Sequence, residues 1–250
     1  MKDPSSFDRC LSFINAQFRP GSPQREEAPR LAVTISRQAG CGAWEIARKL
    51  AERLDRAWPD PERPWTVFDR ELVEKVLEDH HLPARLAEYM PEDRVPYVRD
   101  ALEELLGLHP PSWELVRKTA DTILRLAAMG RVILIGRAAH VITRPLPHML
   151  HLRLIGSLQK RIERLCRQRG WDEKTARAYV ERTDRARERY VREHFGADPT
   201  DPLDYDLVLN TDRFTTDQAA EVFAAAAWQK LGAERRPAAA STIPVTGGER

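Results

Sequence analysis

Leu31-Ala-Val-Thr-Ile-Ser-Arg-Gln-Ala-Gly40-Cys-Gly42-Ala-Trp-Glu-Ile-Ala-Arg-Lys-Leu50 decides how the rest of the chain is read. It opens on an apolar, β-branched run, turns through Gly40 and Gly42, and continues with Ile46, Leu50 and Leu54 at four-residue spacing. The first pattern predicts a strand and the last a helix. A strand, a glycine loop and a helix N-terminus in that order aim several backbone N–H groups and the positive end of a helix dipole at one point, as a phosphate requires. The P-loop pattern G-x-x-x-x-G-K-[ST] adds a lysine for the β/γ-phosphates and a hydroxyl for Mg²⁺. Here Arg37 stands at the first glycine, Ala43 at the lysine, and Trp44 and Glu45 follow. Taken alone, the loop also fits an ordinary strand-to-helix turn.

The surrounding sequence supplies the context. Trp65-Thr-Val-Phe-Asp69, Arg131-Val-Ile-Leu-Ile135, Leu150-His-Leu-Arg-Leu-Ile155 and Asp206-Leu-Val-Leu-Asn210 read as four further strands. Helical patterns lie between them, over about 95–108, 112–129, 157–169, 172–194 and 216–231. Strands alternating with helices predict a parallel sheet covered on both faces. Ligands of such sheets sit beyond the carboxyl ends of the strands, so Ser36, Asp69 and Gly136-Arg137 should converge on one crevice with the glycine loop. Upstream, Phe7, Leu11, Ile14 and Phe18 fit one face of a short helix over 6–18, and the proline-rich stretch 19–30 reads as a linker. The Ala, Pro and Gly-rich tail 233–250 reads as disordered.

A chain of 250 residues with a formal net charge of +2 carries no global field that argues for nucleic acid or a membrane surface. Cys10, Cys41 and Cys166 are scattered thiols, which fits a reducing cytosol and neither a disulfide framework nor a zinc site; Cys41 reads as a small residue in a tight loop. The start has no apolar signal-peptide core and no run reaches the length of a membrane span, so a cytoplasmic protein is expected. The histidines lack metal-ligand spacing, and His140, just after Gly136-Arg137, reads as a helix-surface residue ahead of a pocket-lining one. Trp44 follows the glycine loop and is the tryptophan placed to abut a ligand.

Residues 181–195 read Glu-Arg-Thr-Asp-Arg-Ala-Arg-Glu-Arg-Tyr-Val-Arg-Glu-His-Phe. On a helix Arg182, Arg185, Arg189 and Arg192 fall within a stripe about 80° wide, with Arg187 pointing elsewhere. Such a stripe is either a solvated face or a set of guanidinium forks that closes over phosphates; beside a phosphate loop the second reading is preferred.

Taken together, these segments resemble the cytidylate kinase-like family, a branch of the P-loop nucleoside monophosphate kinases. The resemblance spans about residues 31–231. It runs through Thr34-Ile-Ser-Arg-Gln-Ala-Gly-Cys-Gly42, Phe68-Asp-Arg-Glu-Leu72, Ile135-Gly-Arg-Ala-Ala139, Asp184-Arg-Ala-Arg-Glu-Arg-Tyr190 and Asp201-Pro-Leu-Asp-Tyr-Asp-Leu-Val-Leu-Asn210-Thr. It implies an α/β P-loop NTPase-type three-layer sandwich over 31–232, with a five-stranded parallel sheet. To this it adds a helical acceptor-binding insertion over 70–129 and an arginine-rich lid over 180–196. The expected donor is ATP with Mg²⁺. Ser36, Gly40, Cys41, Gly42, Ala43 and Trp44 would line its site, with Gly40 and Gly42 cradling its phosphates. Arg137 matches an acceptor-phosphate arginine, and Asp69 and Asp184 fall at acceptor-side positions. Arg182, Arg185, Arg187 and Arg189 match lid arginines.

The departures are Ala43 in place of the lysine, no hydroxyl after it, and Ala138 and Ala186 where cytidylate kinases carry aspartates for base and sugar. Arg37 is therefore the candidate for the missing positive charge, and Ser36 or Glu45 for holding Mg²⁺. The expected function is ATP-dependent phosphoryl transfer to a small-molecule nucleoside monophosphate, CMP or dCMP first, with no nucleic-acid or membrane partner. The alternatives are a P-loop kinase of another small acceptor and a catalytically degenerate nucleotide-binding regulatory protein.

Overall fold

The computed structural model describes residues 31–61, 63–69, 71, 73 and 114–231. The expected helix over 6–18, the linker, the helix over 95–108, the tail and most of the insertion over 70–129 lie outside the described residues. Five strands form one parallel sheet: β1 (Ala32–Arg37), β2 (Thr66–Phe68), β3 (Val132–Ile135), β4 (Met149–Ile155) and β5 (Leu207–Asn210), in the spatial order β2-β3-β1-β4-β5. The architecture is a three-layer α/β sandwich, a parallel sheet covered by helices on both faces. β1 is central, with Val33 opposite Ile133 on one side and Leu150 on the other. All four residues of β3 are buried, as a strand covered on both faces requires.

Helices α1 (Ala43–Ala57), α2 (Glu114–Met129), α3 (Ala139–Ile142), α4 (Leu158–Arg169), α5 (Glu173–Phe195) and α6 (Thr216–Lys230) complete the described fold. On one face of the sheet Val33 and Ile35 pack with Leu50 and Leu54 of α1 and Phe223 of α6. On the other, Ala32 and Leu134 pack with Ile123 and Leu124 of α2 and Ile142 of α3. The segment 114–129, read as the end of the acceptor insertion, is thus a layer of the core. α3 was not visible in the sequence pattern, because one helical turn is shorter than the period that reveals a helix.

A third cluster joins Ala39 of the glycine loop to Ile162 and Leu165 of α4 and Ala176 and Val180 of α5. The loop therefore rests on the α4–α5 pair. α4, α5 and α6 each begin at a side-chain cap, from Ser157, Asp172 and Thr215 respectively. α1 begins at Gly42, in the left-handed region at φ 74°, with no side-chain cap. Its first-turn amides are the ones the sequence leaves for something else.

Candidate active site

The carboxyl end of β1 turns directly into the glycine loop, and each loop residue has a distinct role. Gly40 has φ 81°, and a Cβ there would come within 2.7 Å of the Arg161 backbone oxygen. Glycine is needed at this point for close packing on α4 as well as for its backbone conformation. Gly40→Ala is therefore expected to destabilise the protein by about 1–3 kcal/mol, read as a lower urea midpoint; an unchanged midpoint would mean that the loop has room to shift. The Cys41 side chain is buried in the core, where desolvation pushes its thiol pKa up. Ala43 opens α1, and Trp44 packs against both main core clusters.

Two arginines that sequence reading passed over fix this loop. Arg161, 6% exposed, donates from Nη1 to the Ala39 carbonyl (3.1 Å) and from Nε to the Gly156 carbonyl (2.9 Å). Arg164 donates from Nη1 to the Gly40 carbonyl (2.6 Å) and from Nη2 to the Thr211 carbonyl (3.1 Å). By taking up the loop carbonyls, these bonds favour an orientation in which the amides are the groups left to meet an anion. The signal for them was their spacing three residues apart on the helix that follows β4. Gln38 Oε1 accepts from the Gly156 N–H (2.9 Å) and ties the loop to the β4–α4 turn.

Arg37 lies in the crevice. Its guanidinium rests on Gly136, where a Cβ would come 1.9 Å from Nη1. Burial, then repulsion from Arg187, push the Arg37 pKa down to about 9, while Asp69 works in the opposite direction. Asp69 is 8% exposed at the end of β2. Arg137, in the left-handed region at φ 55°, has its guanidinium 5.8 Å from the Tyr190 ring of α5. The Arg37 guanidinium thus lies between Gly136 at the end of β3 and the charge of Asp69 at the end of β2, whereas Ser36, expected in this crevice, is bonded to Arg153 and Tyr205.

The arginine stripe is rotated relative to expectation. Arg187 faces the loop: it donates to the Arg37 carbonyl (3.3 Å) and lies 3.9 Å from Asp184, and burial lowers its pKa. Arg182, Arg185 and Arg189 are exposed; Arg185 pairs with Glu181, and Arg182 lines an outer cleft with Trp171 and Tyr179. The physical reason is helical phase. Ala176, Val180 and Val191 are the buried residues of α5, and Asp184 and Arg187 share their side of the helix. Asp184 meets the loop itself, accepting from the Ala39 N–H (2.7 Å) and from Arg161 Nη1 (2.5 Å).

The two residues considered for Mg²⁺ are engaged elsewhere. Ser36 Oγ accepts from Arg153 Nη1 (3.0 Å) and from the Tyr205 hydroxyl (3.1 Å), on the face of the sheet that α2 and α3 cover. Glu45 accepts from the Thr216 hydroxyl (2.8 Å) and pairs with Lys49 (3.1 Å), which together lower its pKa. Among the described residues no group of three or more His, Cys, Asp or Glu is placed to hold a metal ion. Ser36 and Glu45, as bonded here, therefore do not form a Mg²⁺ site. His140 is buried rather than on a helix surface: its ring stacks on Tyr205 at 4.9 Å and Nε2 lies 3.0 Å from the Tyr205 hydroxyl.

No helix among the described residues is long and apolar enough to cross a membrane. Comparison with known proteins adds the ancestry. The model of the cytidylate kinase-like family matches residues 32–213. A cytidylate kinase of Methanopyrus kandleri is 35% identical over 108 residues, covering 40% of this chain and 56% of that protein. A uronate isomerase of Corynebacterium glutamicum is 30% identical over 109 residues, covering 44% of this chain and 21% of that protein. The chain therefore spans about half the length of the first relative and a fifth of the second. An uncharacterized protein from Eubacterium ventriosum has a similar crystal structure, with a TM-score of 0.62 at 20% identity over 80% of this chain and 99% of that one.

Proposed function

Because the chain belongs to the cytidylate kinase-like family, we propose that it transfers the terminal phosphoryl group of ATP to a nucleoside monophosphate, with CMP or dCMP the first acceptors to test. The observation that carries this reading is the glycine loop. Its amides open an uncapped helix, one of them already holds a carboxylate, and two arginines of lowered pKa stand beside it. Phosphoryl transfer asks a protein mostly to position two phosphates and to neutralise the charge that develops between them. In this reading an acceptor phosphate oxygen attacks the γ-phosphorus in line, and the bond to the β-phosphate oxygen breaks, its electron pair leaving with ADP. Gly40, Gly42 and the first turn of α1 bind the donor phosphates. Arg37 and Arg187 supply the positive charge that a loop lysine gives elsewhere, and Arg137 and Asp69 face the acceptor. Magnesium arrives as the MgATP substrate complex, since Ser36 and Glu45 are committed to other partners. Arg182, Arg185 and Arg189 would reach phosphates only after α5 turns or shifts.

ADP release from MgATP, measured with CMP, dCMP, UMP, AMP and GMP as separate acceptors, tests the proposal. Acceptor-dependent release with one base preferred supports it and names the substrate. A second reading, nucleotide sensing without turnover, is favoured by the lack of a loop lysine and of a cluster of three or more metal-ligating side chains among the described residues. ATP binding in calorimetry with no release for any acceptor would select that reading or a different small acceptor.

A further inference from the structure

The Ala39 amide, the one loop N–H that points to a side chain, is held by an anion that belongs to the chain. Asp184 Oδ1 accepts from it at 2.7 Å, and Oδ2 takes Arg161 Nη1 at 2.5 Å, with Arg187 3.9 Å from Oδ1. Arg161 is 7% exposed at its side chain and Asp184 17%, so this carboxylate sits inside a largely dry, positively charged corner. A carboxylate offers two oxygens to amides and guanidinium forks in the way a phosphate offers three.

We propose that Asp184 is the chain's internal stand-in for a substrate phosphate: it occupies the loop amide in the free protein and is displaced when a polyphosphate binds. The proposal rests on the phosphate-loop reading above and adds to it a competition between α5 and the ligand. A polyphosphate has the charge and the number of oxygens to take over the Ala39 N–H, Arg161 and Arg187 together, whereas a single weak anion does not. Because Asp184 and Arg187 stand one turn apart on the same face of α5, releasing Asp184 frees the helix that carries Arg187. Binding of the donor and movement of the lid thereby become one event.

Calorimetric titration with inorganic tripolyphosphate, which has no base to contribute contacts, measures the competition. Asp184→Asn keeps the side-chain volume and an acceptor, and thermal melts confirm that it folds; it is expected to bind tripolyphosphate at least tenfold more tightly than the wild type. Glu188→Gln removes an equal charge from the same helix, where Glu188 pairs with Arg192, and is expected to change affinity less than twofold. Exchange of the Ala39 amide should also quicken in free Asp184→Ala. Equal or weaker binding by Asp184→Asn, or the same tightening in Glu188→Gln, overturns the proposal while leaving the phosphate-loop reading intact. Absence of tripolyphosphate and ATP binding in the wild type as well as the variants overturns both.

Discussion

Arg37→Ala is expected to lower ADP release about 10³-fold, within the range for removing a preorganised charge-stabilising group. The residue is kept cationic at a cost. Burial and the neighbouring Arg187 both disfavour its charge, enough to bring its pKa down to about 9. A charge held against its surroundings beside a glycine loop is an indicator of function, because a purely structural position would be filled more stably by an apolar residue. The unfolding midpoint of Arg37→Ala is accordingly expected to be unchanged or higher, and Arg37→Lys to restore part of the rate, since lysine keeps the charge but loses the planar fork. A rate within threefold of the wild type in Arg37→Ala would remove Arg37 from the reaction.

The second large effect is on stability. Burial pushes the pKa of His140 down to about 3 and that of His151 to about 4, from an ordinary value of 6.5. Both are neutral in the folded protein, whereas the unfolded chain takes up protons on them below pH 6.5. Unfolding therefore binds protons, and stability, complete above pH 6.5, is lost as pH falls toward the folded values. Each histidine contributes a loss of about 1.4 kcal/mol per pH unit at full slope. Urea melts between pH 7 and 5, a window above the range of the carboxylates, should show a falling free energy of unfolding. His140→Phe should flatten the slope by about half. A flat wild-type profile in that window would mean that neither histidine is held neutral. The ring of His140 stacks on Tyr205 with Nε2 3.0 Å from its hydroxyl, and that hydroxyl also lies 2.9 Å from the Pro199 carbonyl, so acid is expected to loosen the chain just after α5.

Much of the fold was legible because β-branched runs and four-residue periodicity report secondary structure locally. The opening strand, its glycine loop and the helix from Ala43 follow directly from Leu31–Leu50. The backbone path of the glycine loop was legible in the sequence, whereas the facing of the side chains around it was not. The arginine stripe was recognised by charge, but charge alone does not say which face of a helix is turned inward. That information lay in Ala176, Val180 and Val191, whose phase brings Asp184 and Arg187 to the loop and Arg182, Arg185 and Arg189 to water. Ser36 adjoins the loop in sequence. Alternation along β1 instead sets it with Thr34 on the opposite face from Ile35, where Arg153 and Tyr205 meet it. Arg161 and Arg164 act through carbonyls more than 120 positions away, a pairing that no local pattern encodes.

The central position of β1 also governs how the chain can acquire this site. Its two neighbours pair through Val33 with Ile133 and Leu150, residues a hundred or more positions later. The opening strand cannot find its place while it is being synthesised, because both edges wait for segments that have not yet left the ribosome. Closing such long loops before any contact rewards them makes folding slow, as for other topologies dominated by distant pairings. The loop that is read first in the sequence thus waits for β4 and α4, the segments it packs on, to be made.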